Sequence, residues 1–140
     1  MEYKVYMGGI AVRLEKGEDI ADSLLRVAEA EHVTLAEVSG IGAVDLLTVG
    51  VFDLDKGQYA RFDYSGNHEI DALCGNLSTM DGKPYVHLHV TATDCTGRTV
   101  GGHLLSSRIS LTAEIFIRPL GGVGVRRHDA DLGINLLHLE

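Results

Sequence analysis

The residues whose type and spacing could do chemistry are His87, His89 and His103, the first two flanking a single leucine. Neutral imidazoles ligate zinc, copper, nickel or iron, and three of them on one ion leave a coordination position open. A lone His-x-His signals little, because polar side chains on the solvent face of a strand cost nothing. What matters is whether the intervening chain brings the third histidine to the same face.

Tyr85 to Thr93 alternates strictly. Tyr85, His87, His89, Thr91 and Thr93 point one way, and Val86, Leu88, Val90 and Ala92 the other. A two-residue period means a half-buried strand. Asp94-Cys95-Thr96-Gly97 suits a type I turn with a G1 bulge, which pairs Asp94 with Arg98. That register sets His89 opposite His103 and His87 opposite Leu105, and opposed side chains share a face about 5 Å apart at Cβ. A two-residue Asp81-Gly82 loop likewise sets Cys74 across from His89 and Asn76 across from His87. His87, His89 and His103 are thus the expected metal ligands, with zinc the default ion. Cys74 and Glu114 are candidates to add to the site. His32, His68, His128 and His138 lack convergent spacing and read as surface residues.

The elements that must position these residues follow from the same patterning. Tyr3–Glu15 reads as a strand interrupted at Gly8-Gly9. Asp19 can cap a helix ending near His32, with Ile20, Leu24, Val27 and Ala28 as its apolar stripe and Asp22–Arg26 as an i,i+4 pair. Strands are expected at Thr34–Ser39, Val44–Asp53, Gln58–Tyr64, His68–Ser78, Tyr85–Thr93, Arg98–Leu105 and Ile109–Ile117. In the last, Ile109, Leu111, Ala113, Ile115 and Ile117 form the apolar face. Asp55-Lys56-Gly57, Ser65-Gly66-Asn67 and Asp81-Gly82 read as hairpin connections. The expected class is α+β, an antiparallel sheet with one packed helix, in a single domain over residues 1–140. Near the end, Ile134, Leu136, Leu137 and Leu139 should dock rather than dangle.

Composition narrows the function classes. The chain has 140 residues, 45% of them hydrophobic, and a net charge of −8. No apolar run approaches the ~18–20 residues of a membrane span, and no basic stretch leads into an apolar one at the N-terminus, so a cytoplasmic protein is expected. Cys74 and Cys95 do not make a disulfide framework. The acidic balance argues against the broad basic footprint of a protein that binds nucleic acid alone.

The segments Gly17–Leu24, Glu37–Gly42, Tyr85–Asp94, Gly101–Leu105 and Ser110–Ile115 resemble the PPC family, the "plants and prokaryotes conserved" domain. The resemblance implies an α+β domain, a homotrimer, and a transition metal held by the residues matching the family's histidines, here His87, His89 and His103. Such members are usually labelled potential DNA-binding proteins, after plant relatives in which the domain follows an AT-hook. That hook's Arg-Gly-Arg-Pro core does not occur in this sequence. The functions to expect are a trimeric DNA-associated protein with a metal site, a metal-dependent enzyme or small-molecule binder using the open position, or a trimeric scaffold stiffened by metal.

Overall fold

Alternating side chains punctuated by glycine carry most of the chain into strands. The computed structural model describes residues 1–138. Its elements are β1 (Glu2–Tyr6), β2 (Gly9–Glu15), α1 (Ile20–Ala30), β3 (Ala36–Asp53), β4 (Gln58–Met80), β5 (Lys83–Asp94), β6 (Thr99–Pro119), β7 (Val125–Asp129) and β8 (Ile134–His138). The strands lie in the order β1-β2-β6-β3-β4-β7-β8, and β5 pairs with both β4 and β6. Since β3 also pairs with β4 and β6, the four long strands β3 to β6 close on one another. Pairing is antiparallel except for one parallel contact, Thr79 with Val125.

The interior holds Leu47, Leu77, Leu88, Ile109, Ile115 and Ile117, all fully buried. Helix α1 packs on β5 and β6 through Ile20, Leu24, Val27 and Ala28, the stripe its spacing dictates. Asp19 caps it, one carboxylate oxygen accepting from Asp22 N–H at 2.9 Å. The other oxygen accepts from the Ser107 backbone N–H at 2.7 Å, which ties the helix to β6. The helix stops at Ala30, and His32 turns the chain with φ 53°. The Asp22–Arg26 pair does not form, because Arg26 reaches Ser23 Oγ at 3.1 Å and Glu18 at 3.9 Å instead.

The expected α+β class is corrected: this is a mainly-β structure in which 11 helical residues stand against eight strands. The antiparallel sheet and the single packed helix are present, but the strands are far longer than the sequence pattern suggested. Segments read as separate strands fuse into β3, β4 and β6, of 18, 23 and 21 residues. Irregularities between Gly40 and Gly42, Val44 and Leu46, and Ile70 and Ala72 bend these strands without ending them. Ser65-Gly66-Asn67, expected as a turn, therefore lies inside β4. A bulge on β6 also reverses two side chains. Val44 pairs with Ile109 and Gly42 with Ala113, so β6 carries extra residues there; Ser110 turns inward and Leu111 outward, 71% exposed.

The chain's last described segment docks, as its apolar residues imply. β7 and β8 form a hairpin from Val125 to His138, with Val125 beside β4; Leu139 lies outside the described residues. No helix among the described residues is long and apolar enough to cross a membrane.

Candidate metal centre

The β5–β6 turn sets the site. Asp94 N–H donates to the Arg98 carbonyl at 3.0 Å and Gly97 N–H to the Asp94 carbonyl at 2.9 Å, with Gly97 at φ 83°. The Asp94 side chain closes the turn further by accepting from Thr96 N–H and Arg98 N–H. This geometry places His89 opposite His103, the register the sequence implies. The pairing ends there. Beyond His103, β6 turns to β3, which sets His103 beside Gly50 and Leu104 beside Val49, so Leu105 is not the partner of His87. Gly101 and Gly102 permit this crossing, since a Cβ on either would press within 2.6–2.8 Å of the carbonyl oxygens of Val90 and Gly50.

On the other edge of β5, Cys74 pairs with His89 and Asn76 with His87. The loop between these strands is the two-residue Asp81-Gly82, both residues at positive φ as a type I′ turn requires.

The three imidazoles converge. One nitrogen from each of His87, His89 and His103 lies within 4.8 Å of the other two. Ring centroids are 4.9 Å apart for His87 and His103, 5.4 Å for His87 and His89, and 5.5 Å for His89 and His103. Among the described residues no cysteine or carboxylate joins them. Cys74 is exposed across the ladder from His89, and Glu114 lies between Arg13 of β2 and Ile41 of β3.

The surroundings favour the neutral form of His87 and His103. Burial first, then the Arg126 guanidinium and His89, holds His87 below the ordinary imidazole range. Burial, then His87, His89 and Arg126, lowers His103 to about 4. Neutral imidazole is the ligating form. His103 Nδ1 is buried with no hydrogen-bond partner, a condition that costs about 1–3 kcal/mol when nothing satisfies the atom.

Two neighbours escaped the sequence reading. Tyr59 stacks on His103, centroids 5.0 Å apart and rings 27° from parallel, in the space that Gly50 leaves without a side chain. Arg126 is buried against the site. It donates to Ser78 Oγ at 2.9 Å, the Asn135 carbonyl at 2.8 Å and Asn76 Oδ1 at 2.7 Å, and its Nη2 lies 3.3 Å from His87 Nδ1. Its guanidinium also lies over the Tyr85 ring at 4.9 Å. The signal that could have found it is an arginine in a terminal segment whose apolar residues demand docking. His68 also differs from expectation. It is buried, with Nδ1 2.8 Å from the Gly66 carbonyl, and lies away from the cluster. Surface depressions of about 350–470 Å³ occur elsewhere and include none of the three histidines.

Comparison with known proteins fits this geometry. Residues 1–121 match the model of the Plants and Prokaryotes Conserved (PCC) domain, and the chain belongs to that family. The fold is similar to that of a candidate DNA-binding protein from Bacteroides thetaiotaomicron, with TM-score 0.94, 26% identity, and 98% of this chain and 96% of that one covered. It is similar as well to a metal-containing protein from Archaeoglobus fulgidus, with TM-score 0.88, 32% identity and coverage of 99% and 97%. A curated relative, the bifunctional protein GlmU of Synechococcus sp. strain JA-3-3Ab, is 35% identical over 132 residues, 92% of this chain. The chain spans 20% of the length of that relative.

Proposed function

We propose that His87, His89 and His103 hold one divalent transition metal and that its open coordination position binds a small molecule. The observation that carries this reading is the convergence of three ring nitrogens within 4.8 Å, one ring having an orphaned buried nitrogen. Nitrogens sharing an ion at about 2.0–2.1 Å stand about 3.3 Å apart, a difference that modest ring rotation closes. An all-imidazole donor set suits zinc, and a metal-containing relative with nearly the same fold supports the assignment. Such an ion would act as a Lewis acid toward a bound oxygen. The cluster includes no carboxylate to serve as a base, so the activity supported best is ligand binding. The test is the metal content of protein purified without a His tag, wild type against His103→Ala.

A homotrimer is part of the proposal. Ile41 and Phe116 stand exposed on the outward face of the β3–β6 ladder, with Leu111 exposed nearby on β6. Adjacent exposed apolar side chains of this kind mark surfaces that pack against another molecule. A cytoplasmic protein fits the same reading. A DNA-associated role is carried by the label of the Bacteroides relative, but a net charge of −8 opposes contact with a phosphate backbone.

A further inference from the structure

We propose that the ligand of this site is a small organic carboxylate, drawn by positive charge that the described residues leave unbalanced. The inference rests on the metal reading above and names the class of molecule that fills the open position.

Arg126 is 5% exposed. Its acceptors, Ser78 Oγ, the Asn135 carbonyl, Asn76 Oδ1 and His87 Nδ1, are all uncharged. Buried arginines are ordinarily paired with an acid, because an uncompensated charge in low dielectric is costly. Among the described residues no carboxylate supplies that pairing. Glu37 shares the ladder row with Asn76, and it is taken by Arg118 at 3.1 Å.

A divalent ion on three neutral imidazoles adds to the same field. The result is a strongly positive point on a protein whose net charge is −8. An anion entering there interacts with both charges in a partly desolvated setting, where Coulomb energies are several times their value in water. Four N–H groups of Arg126 are already committed. The guanidinium therefore acts through its charge, as a positioning residue, and is not free to form a two-pronged clamp. The organic part of the ligand has a place as well. The side chains of Tyr59 and Leu105 converge over Gly50, and the Tyr59 ring stacks on His103. This makes an apolar wall beside the metal ligands, suited to a carbon skeleton more than to inorganic phosphate.

The experiment uses the full chain loaded with Co²⁺ as a spectroscopic stand-in, titrated with acetate, acetamide and inorganic phosphate and followed by visible absorption and calorimetry. In wild type, acetate should bind well ahead of both acetamide and phosphate. In Arg126→Gln, compared at a cobalt loading matched to wild type by elemental analysis, acetate affinity should fall about tenfold, with acetamide unaffected. Arg126→Lys should restore most of the acetate affinity, which a purely structural arginine would not show. Equal binding of acetate and acetamide by wild type would overturn the proposal without recourse to any variant. So would unchanged acetate affinity in a cobalt-loaded Arg126→Gln protein, and phosphate binding tighter than acetate would overturn the carboxylate assignment. A wild type that takes up no cobalt removes the metal reading, and this inference with it.

Discussion

His103 shows how position in the sheet changes the chemistry of a side chain. It sits where β6 leaves β5 for β3, with neighbours on both sides, and burial lowers it to about 4. His87 is shifted the same way. Both groups bind protons more weakly in the folded chain than at the ordinary imidazole value near 6.5, so protons favour the unfolded state. The metal-free fold should hold its full stability above about pH 6.5 and lose it progressively as pH falls toward 4. Thermal midpoints measured across that range should decline, and the decline should be shallower in His103→Ala. An identical slope in the variant would show that this histidine does not carry the effect. At this scale the convergence of the three histidines was largely legible. Residue type and a two-residue period put His87 and His89 on one face. The apolar residues of the terminal segment implied docking, but the role of Arg126 was not legible, because no local pattern says that the hairpin settles beside β4.

Among the elements, the short turns were readable and the long strands were not. Asp94 to Gly97 and Asp81-Gly82 have side chains or glycines that dictate one backbone conformation, so the registers of Cys74, His89 and His103 followed from counting. The bends within β3, β4 and β6 have no such signature. Ser65-Gly66-Asn67 has turn chemistry yet stays in β4, because pairing with β3 continues on both sides of it. Tertiary pairing won over local preference there, and the same excess of paired strand overturned the α+β class. The attachment of α1 rests on Asp19, which caps the helix and holds Ser107 N–H and Oγ at 2.7 and 3.1 Å. Asp19→Ala removes a cap and strands a backbone donor, so it should cost about 2 kcal/mol in urea unfolding. A change under about 0.5 kcal/mol would mean that the helix is held by its apolar stripe alone.

The whole molecule sets acidic net charge around a buried arginine, and exposed apolar residues on β3 and β6 against a well-filled interior. The trimer reading predicts a light-scattering mass of about three times the 15.1 kDa chain, whereas a monomer would leave Ile41, Leu111 and Phe116 exposed to solvent. The central claim, however, concerns the three histidines. It is tested most directly by elemental analysis of untagged protein, with wild type and His103→Ala purified side by side. Wild type should carry about one zinc-class ion per chain, and the variant, with two imidazoles left, close to none. A wild type without stoichiometric metal, or a variant that retains it in full, would contradict the account.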